Sequence, residues 1–195
     1  MLAAASYQRV YGLTLIELLI VLTLGAVVIA VGAPAMGQWV REIEVRSSAA
    51  LLLSALHATR AEALTRNASV RLDFPDTEGR PGWRMTCVQA TVRCPDTLRQ
   101  HAVDTGTAVR WGAAKLSTMP SSATAITAGQ AFPASIRFDT SGAAPDIATG
   151  DSVARIDVTY NEFADVRRMV VLVSARGMAR ICDPAASVGH PQHCD

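Results

Sequence analysis

Lysine is almost missing from this 195-residue chain, where Lys115 stands against 17 arginines. Arginine pairs with carboxylates and phosphates more readily in bidentate fashion, but a coding sequence rich in G and C gives the same bias with no binding role. The formal charge is only +1 at pH 7, a value that falls to zero without Arg9. Net charge therefore offers no argument for a polyanionic partner. Enzymatic signatures are missing as well: there is no GxSxG elbow, no HExxH, no GxxxxGK and no CxxC. Asp157, Glu162 and Asp165 can be paired on paper as acid and base, but nothing in the sequence converges them on a pocket, and they are expected to be exposed acids at strand ends. Asp139, Asp146 and Asp151 lack the oxygen-ligand spacing of a calcium loop and are expected to belong to a turn-rich surface segment. The chain is expected to be no enzyme and to hold no metal or cofactor.

What is present in abundance is one apolar run. Residues 13–33, LTLIELLIVLTLGAVVIAVGA, contain a single ionisable side chain, Glu17. As a helix at about 1.5 Å per residue the run covers roughly 31 Å, enough to cross the hydrocarbon core of a bilayer. An ordinary secretory signal carries its cleavage site behind the apolar stretch. Here Gly12 lies in front of it, after a short polar leader, so cleavage at Gly12 keeps the apolar segment and makes Leu13 the new amino terminus. A carboxylate inside hydrocarbon costs at least a few kcal/mol, which makes Glu17 a functional residue in search of a partner. The ammonium of Leu13 in a neighbouring copy is the partner expected.

Gly12 followed by Leu13, Thr14, Leu15, Ile16, Glu17 and Leu18 resembles the processing site of type IV prepilins. The resemblance implies that a prepilin peptidase cuts after Gly12 and methylates Leu13. Members of the class usually begin the mature chain with Phe, and this chain has Leu13. Residues 1–12 are then the leader and 13–33 the transmembrane and filament-core half of a long first helix.

Pro34 is placed to kink that helix. Residues 34–67 continue it as an amphipathic half, with Ala49, Leu52, Leu53, Leu56, Ala63 and Leu64 on one face at three- and four-residue steps. His57, with no ligand-spaced neighbour, reads as a surface or interface residue, and Asn67 as a cap. The stretch TRAEALTRN, residues 59–67, looks like the helix end of the family that contains the minor pilins FimU and FimT and the secretion pseudopilin GspH.

Residues 68–195 read as a β-rich head of roughly 130 residues, one modest domain. Alternating segments at 69–74, 83–88, 108–111, 135–138, 154–160, 168–174 and 178–182 are separated by Gly, Pro, Asp and Ser turns. Strands that bury one face and an amphipathic helix able to cover it give an α+β fold: a long kinked helix on an antiparallel sheet, with room for a second small sheet. The same arrangement is implied by the resemblance, which extends to SIRFDTSG (135–142) and VVLVSARGMARIC (170–182). Residues 75–134 carry little of it.

Cys87, Cys94, Cys182 and Cys194 allow three pairings, and the simplest is Cys87 to Cys94 with Cys182 to Cys194. A rival reading gives Cys182, His190, His193 and Cys194 to zinc, although adjacent His193 and Cys194 fit one tetrahedron awkwardly.

What the resemblance implies for function is a minor pilin, with the major pilin, other minor pilins and the prepilin peptidase as partners. The subunit waits in the inner membrane with its head in the periplasm and then enters a pilus at the cell surface. A GspH-like secretion pseudopilin is the alternative, and the cysteine-bearing tail argues against it. Some FimT-like members take up incoming DNA for natural transformation, binding it through a Gly-Arg-x-Arg motif, and the resemblance makes that role a further alternative. The matching positions here are Gly177, Met178, Ala179 and Arg180, so one arginine is replaced. Arg176 and Arg180 are the contact residues expected, and the DNA binding expected is at most weak and nonspecific.

Overall fold

The computed structural model describes residues 14–161, 163 and 165–194. Its compact units divide between Trp39 and Val40, and a single helix, α1 (Leu15–Arg66), supplies residues to both. Gly12, Leu13 and the rest of the leader lie outside the described residues, as does Glu162. The helical run is unbroken through Pro34, whose missing N–H leaves the carbonyl one turn earlier without its usual donor.

In the first unit α1 is apolar on every side and exposed: Leu15, Val28 and Val31 each show more than two thirds of their surface, at 78%, 71% and 74%. From Val40 the helix becomes amphipathic. Val45, Ala49, Leu52, Ala55, Leu56 and Ala63 are buried, which is the spacing of one helical face. Leu64, expected on that face, is 48% exposed, because it lies about 100° round the helix from Ala63, and Ala63 is the residue that points inward. The helix ends where expected. Asn67 takes a left-handed φ of 50°, its N–H bonds the Leu64 carbonyl (3.3 Å) and the next N–H, of Ala68, reaches back to Ala63 (3.2 Å). This is the Schellman arrangement, which satisfies two terminal carbonyls.

Among the described residues eight strands follow: β1 (Val70–Phe74), β2 (Trp83–Cys87), β3 (Thr97–His101), β4 (Val109–Lys115), β5 (Ala134–Phe138), β6 (Val153–Tyr160), β7 (Met169–Val173) and β8 (Ala179–Cys182), with a single-turn α2 (Pro145–Ala148) between β5 and β6. They form two four-stranded antiparallel sheets. Sheet one has the order β3-β2-β1-β5 and sheet two the order β4-β6-β7-β8. Val70, Leu72, Phe74, Met85, Ile136 and Phe138 from sheet one join Trp111, Ala113, Ile156, Val158 and Val171 from sheet two in one core with the helix face. Each such large side chain contributes about 1.5–3 kcal/mol on burial. Trp111 ties the layers together: its ring meets Phe74 edge-on (centroids 6.1 Å apart), and its Nε1–H donates to Ser48 Oγ on α1 at 3.0 Å.

Strand β3 was not expected. Its sequence, TLRQH, is polar and largely exposed, so it carries no period-2 signal; pairing with β2 and the Cys87–Cys94 bridge beside it hold it in place. Strand β4 runs four residues beyond the expected 108–111. Gly112 permits this, since a Cβ there would collide with the Thr127 carbonyl that crosses the strand.

The outer face of sheet two is covered twice. Residues 120–126 form a strap across one part of it. The carboxyl tail covers another, tied by the Cys182–Cys194 disulfide and a parallel bridge between Asp183 and His193, with Val170, Cys182 and Cys194 buried together beneath. Both cysteines of each bridge are thereby accounted for, which removes the sulfurs from the zinc alternative. His193 Nδ1 lies 2.9 Å from the Ala186 carbonyl.

Candidate functional site

The first candidate segment is the start of α1. Thr14 precedes the helix, its Oγ1 accepts the N–H of Glu17 at 3.3 Å and its carbonyl accepts the N–H of Leu18 at 3.1 Å. Thr14 is therefore the N-cap of α1, bonding the backbone of Glu17 at the third helical position, and the pair has the T-x-x-E spacing of a capping-box signature. The sequence reading missed Thr14 as the cap of this helix. A carboxylate in the first turn is also favoured by the helix dipole. Around it Leu15, Ile16, Leu18 and Leu19 are exposed, and the helix is long and apolar enough to cross a membrane.

The second candidate is the turn between β7 and β8, where Arg176 and Arg180 lie. Gly177 has φ +75°, and a Cβ on it would run into the carbonyl of Gly142. Its N–H donates to the Ser174 carbonyl (2.8 Å) and the Met178 N–H to Ser174 Oγ (3.2 Å). Arg176 and Arg180 are both exposed at this turn and on β8. The neighbouring arginines are engaged elsewhere: Arg167 pairs with Asp183 at 3.2 Å, and Arg168 points inward. One cation arrives that sequence reasoning did not foresee. Arg60, from α1, donates through Nε to the Gly142 carbonyl (2.9 Å) and reaches Met178 Sδ with a second nitrogen (3.3 Å), while His57 Nε2 lies 3.3 Å from the Ala179 carbonyl. No sequence signal links residue 60 to residue 178; only the fold brings them together.

The acids considered for catalysis are not arranged for it. Asp157 is fully buried, contrary to the expectation of an exposed strand-end acid, because β6 is covered on both faces. Its carboxylate accepts from Arg155 at 2.7 and 2.9 Å, from Arg168 at 2.8 Å and from the Ile126 N–H at 3.0 Å. Arg155 also donates to the carbonyls of Pro120 (3.0 Å), Ser121 (2.9 Å) and Thr124 (2.7 Å), and Arg168 to those of Ser122 and Ala123. The network is a clamp for the strap. Burial lowers the pKa of Arg168 from its ordinary value, against the opposing pull of Asp157. Asp165 is exposed.

Asp139, Asp146 and Asp151 serve turns. Arg137 donates to Asp146 at 2.9 and 2.5 Å and holds its carboxyl below the usual range. Asp139 accepts the Ser141 hydroxyl (2.6 Å) and the N–H groups of Ser141 (2.8 Å) and Ala143 (3.0 Å), and is lowered for that reason. Among the described residues no cluster of three His, Cys, Asp or Glu is placed to hold a metal ion.

Two family models match. Residues 8–33 match the prokaryotic N-terminal methylation motif, and residues 48–177, about two thirds of the chain, match the type II transport protein GspH family. No curated protein sequence matches the chain. Among solved structures, the type IV minor pilin FimU of Pseudomonas aeruginosa strain PAO1 is similar in two crystal forms. The P21 form is 16% identical with a TM-score of 0.50, covering 80% of this chain and 99% of FimU; the P65 form is 16% identical with a TM-score of 0.46, covering 77% and 99%. At that identity the likeness to the P21 form speaks for the fold alone. Together with the helix and sheets described above, the match over 48–177 establishes that this chain belongs to the GspH family of pilin-like proteins.

Proposed function

We propose that this chain is a minor type IV pilin, cut after Gly12 by a prepilin peptidase, methylated at Leu13, and used in initiating or capping a pilus. What carries the reading is one conjunction: a methylation-motif match over 8–33 coincides with an exposed apolar helix whose first turn contains Glu17. In this reading the first unit anchors the protein in the inner membrane, with the head in the periplasm, until neighbouring pilin helices replace lipid. Glu17 then pairs with the Leu13 ammonium of another subunit and sets register. Pro34 adjusts the helix as the subunit leaves the bilayer. The FimU likeness and the disulfide-tied tail favour a pilus subunit. The partners are the major pilin and other minor pilins, and the role is non-catalytic.

The T-x-x-E spacing sharpens the test. Gln at the third helical position preserves a capping box but carries no charge. Glu17→Gln and Glu17→Ala should therefore both insert in the membrane and both fail to enter sheared pili. Normal incorporation of Glu17→Gln, with loss only in Glu17→Ala, would reduce Glu17 to a helix cap.

A second reading, a GspH-like pseudopilin of a type II secretion system, is favoured by the name of the family that the head matches. A deletion strain decides between them: loss of surface pili supports the first reading, and loss of exported folded proteins with normal pili supports the second. For DNA, Arg176 and Arg180 support at most weak, salt-sensitive contact, since Arg167 and Arg168 are paired with acids. Fluorescence anisotropy at physiological salt should show little binding. Micromolar affinity that vanishes in Arg176→Gln/Arg180→Gln would make the uptake role the better one.

A further inference from the structure

Arg60 is a strong donor that the fold supplies with few acceptors. Its guanidinium crosses from α1 to the turn between β7 and β8, where Nε–H donates to the Gly142 carbonyl at 2.9 Å and a terminal N–H points at Met178 Sδ at 3.3 Å. Two glycines frame it: a Cβ on Gly142 would lie 3.0 Å from Arg60 Nε, and one on Gly177 3.3 Å from it. The group is therefore held in place. Among the described residues no carboxylate pairs with it, and a thioether sulfur accepts only weakly. Met178 itself is 59% exposed, more than Met119 at 39%, while Met85 and Met169 are buried in the head. A reactive sulfur open to solvent thus sits beside a fixed cation.

We infer that Met178 is an oxidation site whose sulfoxide Arg60 holds, so that a hydroperoxide tightens the tie between α1 and the β7–β8 turn. In the step, a sulfur lone pair attacks one peroxide oxygen, the O–O bond breaks and an S–O bond forms. Sulfur is oxidised by two electrons. The proton of the transferred oxygen ends on the departing hydroxide, which leaves as water. Arg60 acts on this step twice. Its N–H occupies one of the two sulfur lone pairs, so the oxidant meets the other and one sulfoxide epimer is favoured. Rotation about the Cγ–Sδ bond then swings the new oxygen onto the guanidinium, where it accepts a charge-assisted hydrogen bond in place of a weak N–H to sulfur contact. Methionine oxidation commonly disrupts a protein by placing a polar group in apolar packing. Met178 is too exposed for that cost to dominate, and the polar oxygen finds a donor already positioned.

The experiment treats the full mature chain, in dodecyl maltoside, with hydrogen peroxide. Trypsin then releases Met178 in residues 177–180 and Met119 in residues 116–137, so mass spectrometry reads the two apart. Methionine sulfoxide reductases A and B each reduce one epimer and report the epimer ratio. Met178 should carry one epimer in at least about threefold excess, and Arg60→Gln should bring the ratio close to even. Melting temperatures supply the second readout, each variant being compared with its own reduced form so that a lower starting stability does not matter. Met178→Leu absorbs the effect of oxidation at Met36 and Met119. Relative to its shift, wild type should gain about 2–4 °C on oxidation, and Arg60→Gln should gain nothing. An even epimer ratio in wild type, an excess that survives in Arg60→Gln, or a wild-type shift no higher than that of Met178→Leu overturns the inference. Recovery of unoxidised Met178 when Met119 is fully oxidised does so as well.

Discussion

Asp157→Asn is the substitution for which the structure gives the clearest magnitude. The wild-type carboxylate is fully buried and balances two guanidinium groups, those of Arg155 and Arg168, whose side chains are 2% and 16% exposed. Asparagine keeps the shape but removes the charge, and turns one acceptor oxygen into a donor facing a guanidinium or the Ile126 N–H. Breaking a buried ion pair by removing one partner costs about 3–5 kcal/mol. That is a large part of the stability of an ordinary domain, about 5–15 kcal/mol. At about 2–4 °C per kcal/mol for a chain of this size, the melting temperature should fall by about 6–20 °C. The damage should begin locally, because five carbonyls of the strap depend on the same two arginines. Hydrogen exchange over residues 120–126 should rise before the sheets open, and a protease should nick the chain there first. Asp165→Asn, at an exposed position, is the matched control and should do neither. A melting temperature for Asp157→Asn within about 2 °C of wild type, together with unchanged exchange in the strap, would refute the clamp.

Three further outcomes follow from the same reasoning. The pKa values of Asp146 and Asp139 are held down in the folded state, by the Arg137 hydrogen bonds and by Ser141 respectively. Their contribution is therefore present above the ordinary carboxylate pKa and is lost as pH falls through the lower folded values, so melting temperatures measured downward from about pH 5 should decline less in Asp146→Asn than in wild type; both side chains of the Arg137 pair are a third exposed, and the difference should be small. Cys182→Ser/Cys194→Ser should cost about 2–3 kcal/mol in urea unfolding and release the tail to proteolysis, and should leave the Cys87–Cys94 bridge intact by mass spectrometry. Gly177→Ala meets both a φ of +75° and the Gly142 carbonyl, and should destabilise the head by at least about 1 kcal/mol in the same assay, with Arg60 losing its hold on the turn.

The parts of the fold legible in the sequence are those where one physical signal dominates. The 13–33 run announces a bilayer-length helix, Asn67 marks its far end, and the alternation of Val70, Leu72 and Phe74 or of Ile156 and Val158 marks strands with one apolar face turned to the core. Strand β3 escaped because its pairing depends on β2 and not on its own side chains. The inward turn of Arg155 and Asp157 escaped for a related reason. On an alternating strand their positions read as solvent-facing, and only the strap, 31 residues distant in sequence at these contacts, buries them. At the candidate sites, Glu17 stood out as an isolated charge in an apolar run, while Thr14, which caps the helix through the Glu17 backbone N–H, went unread. Arg60 beside Met178 is a contact across 118 residues, which no local pattern can announce. The glycines followed the same rule: Gly112 and Gly177 are small because of carbonyls that the fold delivers to them from Thr127 and Gly142.

The central claim is that this chain is processed at Gly12 and carried into a pilus through Leu13 and Glu17. The most direct test is mass spectrometry on pili sheared from cells and on the inner-membrane fraction left behind. The account predicts that the sheared fraction contains this protein, at low abundance relative to the major pilin, with an amino-terminal peptide that begins at Leu13 and carries one methyl group. Recovery of the protein only from the inner membrane, or with residues 1–12 still attached, would contradict it.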